Sequence, residues 1–234
     1  QGLLLSIRSG GHSVAGFSTN NGGLVIDLSS MHAVEILDEA KHVVRVQAGS
    51  RWSHVAQILH HHGLSLSSGD TKTVGVGGLT TGGGIGWMVR KFGLTIDSLV
   101  GADVVTAGGT IHHASAIEEP DLFWAIRGGG GNFGVVTSFD FEAHPVTRVY
   151  AGHIMYSFDN LEEFLKRWRD YMRFADEALT TIVNILPSFA GNPPMLMQTC
   201  CYAGNDQVAA MKAINPLLEL GTVLSQDIQE KDYV

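Results

Sequence analysis

The chain has 234 residues, room for one large domain or two modest ones with a sizeable core. Apolar residues make up 44% and charged residues 16%, which excludes a disordered chain, and no apolar run is long enough to span a bilayer. The net charge of -8 offers no basic field to a phosphate backbone and argues against nucleic acid as the main partner.

The first apolar run, Leu3 to Ile7, reads as a strand and leads into R-S-G-G-H-S, residues 8 to 13. Gly10 and Gly11 let the backbone bend sharply and bring its N–H groups against an anion, and His12 beside the bend carries a nucleophilic ring. A phosphate cradle with a reactive ring next to it points to a nucleotide cofactor; a plain glycine turn with a surface histidine is the alternative. Leu24 to Leu28 reads as a buried strand, and Val34 to Leu37 and Val43 to Val46 as two more, joined by the polar turn Asp38–Lys41. Ser50 is the expected N-cap of a helix whose apolar face carries Trp52, Val55, Ile58 and Leu59 and which stops at Gly63. His60, His61 and His62 close that helix, but consecutive helical positions diverge and cannot share one ion well, so no metal is expected.

Residues 69 to 86 read G-D-T-K-T-V-G-V-G-G-L-T-T-G-G-G-I-G, and eight of these 18 are glycine. That composition suits neither a helix nor an ordinary strand. A flexible linker would be polar, whereas this stretch carries Val74, Val76, Leu79 and Ile85. It is expected to wrap a ligand, with Thr73, Thr80 and Thr81 adding hydroxyls. Asp97 to Thr106 reads as a buried strand with Ile111 in its hairpin partner. Pro120 opens a helix through Ile126, a second glycine cluster spans Gly128 to Gly131, and a strand covers Val135 to Glu142. Gly129, Gly131 and Gly134 fit G-x-G-x-x-G, yet a helix precedes them and a strand follows, the reverse of a nicotinamide-type Rossmann site, which is therefore rejected.

Pro145 marks a boundary beyond which glycine clusters cease, giving expected domains over residues 1–146 and 147–234. The second part reads β-α-β-β-α: a strand Tyr150 to Phe158, a helix Leu161 to Phe174, strands Ile182 to Leu186 and Met195 to Tyr202, and a helix from Gln207 that Pro216 ends or kinks at Asn215. This is an α+β layer whose sheet could form the wall of a site. The two cysteines, Cys200 and Cys201, are adjacent and read as small apolar strand residues rather than as a disulfide framework. Gln1 opens almost directly into a strand without an initiator Met or a targeting segment, so the chain is expected to begin inside a longer protein. The missing leader says nothing about export, and the expected compartment leans no further than cytoplasmic.

Three stretches then gain an identity together: R-S-G-G-H-S, the glycine-rich block followed by W-M-V-R-K-F-G-L-T-I-D, and P-D-L-F-W-A-I-R-G-G-G-G-N-F-G-V-V-T. In this order they strongly resemble the FAD-linked oxidases of the berberine bridge enzyme-like group, within the vanillyl-alcohol oxidase, or PCMH-type, FAD-binding fold. The resemblance covers residues 3 to about 144 and extends only weakly beyond. It implies an α+β flavin domain, incomplete at its start, followed by the beginning of a substrate domain. It implies that the backbone of Arg8, Ser9, Gly10, Gly11, His12 and Ser13 holds the pyrophosphate and that His12 bonds the 8α-methyl carbon of the flavin. It places Gly69, Thr73, Val74, Gly77, Gly78, Thr81, Gly82, Gly84 and Gly86 around the pyrophosphate and ring, and Gly134 and Val136 on the other side.

Bicovalent members of that group carry a Cys where this sequence has Thr71, so the resemblance implies a single histidyl link. The activity implied is hydride transfer from a small-molecule alcohol, sugar or amine to covalently bound FAD, with O2 as acceptor giving hydrogen peroxide. A dehydrogenase that uses another acceptor, a non-catalytic flavin binder and a non-covalent relative such as the enolpyruvyl-sugar reductases are the rival readings. The catalytic base is expected outside this stretch, and no catalytic residue is assigned.

Overall fold

The computed structural model describes residues 2–188, 191 and 193–234. Gln1, on which the expectation about the start of the chain falls, lies outside them. Two compact units emerge: one holds the residues up to Gly86, Phe92–Pro145 and Val234, the other Trp87–Lys91 and Val146–Tyr233.

The first unit opens with strands β1 (Leu5–Arg8) and β2 (Leu24–Asp27), paired in parallel from Leu5 opposite Leu24 to Arg8 opposite Asp27. The expectation that Leu24–Leu28 is buried fails for most of its length: Leu24 is 55% exposed and only Leu28, at 6%, is interior. A strand in a two-stranded sheet has one neighbour, and here only Ile7 and Ile26 turn toward the core.

The main sheet is antiparallel throughout, in the order β3 (Val34–Asp38), β4 (Val43–Gln47), β7 (Val135–Glu142), β5 (Leu99–Val105), β6 (Ile111–Ser115). Alternation along these strands sends Val44, Val46, Ala102, Val104, Ala114, Phe139 and Phe141 into the core, where helix α1 (Trp52–His61) packs Trp52, Val55 and Leu59. The opposite face is polar. Arg45 donates to both oxygens of Asp140, at 2.7 and 2.8 Å, and Asp103 accepts from Ser138 at 2.9 Å and meets His113 at 2.9 Å.

Ser50 is not the cap of α1. Arg51 takes the N-cap position without a side-chain bond, and the buried Ser50 hydroxyl has no hydrogen-bond partner among the described residues. The backbone of Ser50 is instead fixed on both sides, its N–H to the Gln47 carbonyl and its own carbonyl accepting from Val76. The helix does stop at Gly63, which takes φ 73° and lets Leu64 return its N–H to the Leu59 carbonyl. Later in the unit, a 3₁₀ turn over Thr95–Ser98 takes up the start of the strand expected from Asp97. Helix α4 (Pro120–Ile126) begins on its proline as expected.

In the second unit, β8 (Arg148–Ser157) is followed by α5 (Leu161–Met172), β9 (Leu179–Leu186), β10 (Met195–Ala203) and α6 (Gln207–Ile214). Strands β11 (Val223–Gln226) and β12 (Gln229–Asp232) then add to β8 in the order β11-β8-β10-β9, with β12 also on β8. The helices cover the face that carries Ile154, Tyr156, Leu196 and Cys200. Asn160 and Asp206 cap α5 and α6 by accepting backbone N–H groups from Glu163 and Ala209. Pro216 ends α6, and the chain continues as a 3₁₀ turn over Asn215–Glu219. The short helix α3 (Val89–Phe92) contributes Arg90, whose guanidinium donates to the carbonyls of Met172, Ala175, Asp176 and Leu179.

Candidate flavin-binding site

The hexapeptide that begins on the last residue of β1 packs backbone to backbone on the segment before helix α2 (Val76–Thr81). A Cβ on Gly10 would stand 2.2 Å from the Gly75 nitrogen, and one on Gly75 would stand 2.1 Å from the Gly10 nitrogen. Only paired glycines permit that approach. Gly11 takes φ 72°, the left-handed region. The backbone N–H groups of Gly10, Gly11, His12 and Ser13 have no hydrogen-bond partner among the described residues. Successive unpaired donors at a bend that is exposed from Gly11 onward are groups suited to an anion.

The side chains of the same segment serve other ends. Arg8 is paired with Asp27 across the β1–β2 ladder, and Asp27 is pulled down to about 2, first by that hydrogen bond. Ser9 donates to the Ala48 carbonyl at 2.6 Å and accepts from the Gly77 N–H at 3.2 Å. His12 is exposed, and its Nε2 lies 2.9 Å from the Thr73 hydroxyl. Thr71 turns its hydroxyl to Asp70 at 2.9 Å.

The glycine-rich block contains a helix, contrary to expectation. Gly77 and Gly78 sit inside α2; a Cβ on Gly77 would lie 3.2 Å from both the Ala48 carbonyl and the Ser9 side chain, whereas one on Gly78 would stand in open space. The turns after α2 are equally tight. A Cβ on Gly84 would meet Thr95 at 2.4 Å, and one on Gly86 would meet the Gly69 and Ser68 nitrogens at 2.7 Å. The second glycine cluster reaches the same helix, since the Gly128 N–H donates to the Thr81 carbonyl.

Arg8–Ser13, Gly69 and the block to Gly86 therefore converge around α2, with Gly78 and Gly82 exposed on it. Several expected contacts reduce to backbone. Val74 packs against the core, the Thr81 hydroxyl donates to the Gly77 carbonyl, and the Gly77 N–H is engaged by Ala48 and Ser9. Gly134 immediately precedes β7 and Val136 lies in it, interior and opposite Val104, and among the described residues neither hydrogen-bonds the hexapeptide. Ala48 links the two regions: it accepts from Ser9 and donates to the Thr137 carbonyl. Ala48 and Gly49 were expected only to break the strand pattern and not at the site, although a Cβ on Gly49 would fall 1.7 Å from the Leu28 carbonyl. Their one signal was a run of small residues closing a strand. Among the described residues no group of His, Cys, Asp and Glu is arranged to hold a metal ion.

This architecture is that of an FAD-binding domain, and residues 1–115 match the family described as FAD binding domain. The proteins and structures it matches are FAD-linked oxidoreductases and oxidases, a berberine bridge enzyme-like protein of Physcomitrella patens among them. It is 36% identical over 233 residues to the uncharacterized FAD-linked oxidoreductase YgaK of Bacillus subtilis, covering 97% of this chain and 51% of that protein. The structure of 6-hydroxy-D-nicotine oxidase from Arthrobacter nicotinovorans superimposes with a TM-score of 0.90 at 32% identity, over 99% of this chain and 51% of the other. Glucooligosaccharide oxidase from Acremonium strictum, whose structure concerns a 6-S-cysteinyl, 8α-N1-histidyl FAD, matches at a TM-score of 0.82 and 30% identity, over 99% and 49%. The chain thus spans about half the length of the relatives it matches.

Proposed function

We propose that this chain is the flavin-holding part of an oxidase that carries FAD on His12 through a single covalent bond. The observation that carries the reading is the run of unpaired N–H groups from Gly10 to Ser13, exposed from Gly11 onward, held by the Gly10–Gly75 contact and carrying the accessible imidazole of His12. FAD suits these groups: its pyrophosphate is the anion that such a cradle takes, and its 8α-methyl carbon is the electrophile that an imidazole attacks. When bound, FAD accepts a hydride from substrate. The backbone of residues 10 to 13 binds, Ser9 fixes that backbone to Ala48 and Gly77, and His12 tethers. Thr71 offers no thiol, so a second thioether link is not formed.

The substrate is a small molecule whose oxidised carbon bears an alcohol, sugar hydroxyl or amine, and dioxygen is the electron acceptor. Relatives named for nicotine and for glucooligosaccharide support that range. Acid precipitation of the full-length protein tests the tether: the yellow colour is expected in the pellet, and its complete release into the supernatant would contradict the reading. Stopped-flow mixing of the reduced protein with air tests the acceptor. Rapid reoxidation is expected, whereas a flavin that stays reduced identifies a dehydrogenase.

A further inference from the structure

We infer that Thr73 is the positioning residue for flavin attachment, holding His12 by Nε2 so that Nδ1 is the nitrogen that bonds the cofactor. The inference rests on the histidyl tether proposed above. Two hydroxyls flank Lys72, and they face different ways. Thr71 is turned to Asp70 at 2.9 Å, whereas Thr73 meets His12 Nε2 at 2.9 Å. The Thr73 backbone is fixed by its surroundings, because the adjacent Val74 donates to the Thr71 carbonyl, accepts from the Trp52 N–H and packs on the core. The imidazole, by contrast, is exposed at the end of a glycine bend, where no other hydrogen bond orients it among the described residues. Thr73 is therefore the group that sets the direction of the ring.

A neutral imidazole has one N–H and one lone pair, and the hydrogen bond to one nitrogen decides which is which. With Nε2–H donating to Thr73 Oγ, Nδ1 keeps its lone pair and is the nucleophile. With the hydroxyl donating to Nε2 instead, Nδ1 would carry the proton and neither nitrogen would be free to attack. Only the first arrangement is productive. In that step a bond forms between Nδ1 and the 8α carbon, and a C–H bond of the methyl breaks. One proton leaves the methyl and one leaves Nε2, and with two electrons they reduce dioxygen to hydrogen peroxide. Thr73 accordingly acts through His12 and not on the cofactor directly.

The test uses full-length protein made in flavin-depleted cells, then mixed with FAD in air. Acid-stable flavin is followed over time in the unmodified protein, in Thr73→Val and in Thr73→Ser, alongside non-covalent FAD binding read from quenching of flavin fluorescence. Losing one orienting hydrogen bond is expected to slow attachment about tenfold in Thr73→Val while FAD still binds, and Thr73→Ser should restore the rate. The flavopeptide from the unmodified protein should match the Nδ1 isomer of histidylflavin, which differs from the Nε2 isomer in the pH dependence of its fluorescence. An Nε2 link, or Thr73→Val attaching FAD as fast as the unmodified protein, would overturn the inference and leave the tether standing. No acid-stable flavin in the unmodified protein would remove the tether itself. Should Thr73→Val not fold, Thr73→Ala, which also removes the hydroxyl, takes its place: slowed attachment with FAD still bound supports the inference, and an unchanged rate overturns it.

Discussion

Gly10 and Arg8 show how two neighbours in one hexapeptide carry different loads. Gly10 is where it is because any side chain would occupy the Gly75 backbone, and Gly75 has the reciprocal need. Gly10→Ala must therefore push the two segments apart, at a cost of about 2 kcal/mol, together with lost FAD retention. Thermal unfolding of full-length Gly10→Ala would expose an error here if its midpoint were unchanged. Arg8 works through its partner. Asp27, pulled to about 2 from 3.8 first by the Arg8 hydrogen bond, is charged in the folded protein at pH values where the unfolded chain has taken up a proton. Because the folded value is the lower one, the stabilisation is complete above about pH 4 and is lost as the pH falls toward 2. Asp27→Asn should flatten the decline of the melting temperature across that window; an unchanged slope would mean that the Arg8–Asp27 pair contributes nothing.

Elements differed in how plainly the sequence announced them. Strand β7 lies where its β-branched and aromatic run placed it, and α4 starts on Pro120, because in both cases a local rule meets no tertiary objection. Helix α2 was hidden, since Gly77 and Gly78 have the poorest helix propensity short of proline. Tertiary crowding by Ala48 and Ser9 bears on Gly77, and crowding between residues dozens of positions apart leaves no periodic trace; Gly78 faces open space and has no such reason. Ser50 misled for the same reason: its backbone is claimed by Val76 and Gln47, so it cannot swing round to cap. Strands β11 and β12 escaped notice because β12, Gln-Glu-Lys-Asp, is polar and exposed and gains its order from pairing with β8. Arg90 is another such case, a charged residue in a motif that offers no hint of its four carbonyl partners. Replacing Arg90 by Ala should cost about 2–3 kcal/mol in the second unit by leaving those carbonyls without their cationic donor. Denaturant unfolding monitored by Trp168, which donates to Thr181 in that unit, provides the check, and a midpoint equal to the unmodified protein's would refute it.

At the scale of the molecule, one unit carries three glycine-rich stretches that meet around a six-residue helix, and the other carries a helix-backed sheet. The glycine clustering was legible as a ligand-enclosing feature because linkers do not mix glycine with Val, Leu and Ile at that density. The link through Ala48 was not, since a carbonyl accepting from Ser9 is invisible in a list of residue types. On the proposed reading these stretches hold one FAD tethered to His12. Cleavage after basic residues would release His12 on the peptide Ser9–Lys41 and Thr71 on the separate peptide Trp52–Lys72. The decisive measurement is a peptide map of the denatured, flavin-loaded, full-length protein by mass spectrometry. One flavin adduct is expected, on Ser9–Lys41, with the mass change localised to His12. An adduct on any other peptide, or an unmodified Ser9–Lys41 from a yellow protein, would contradict that reading.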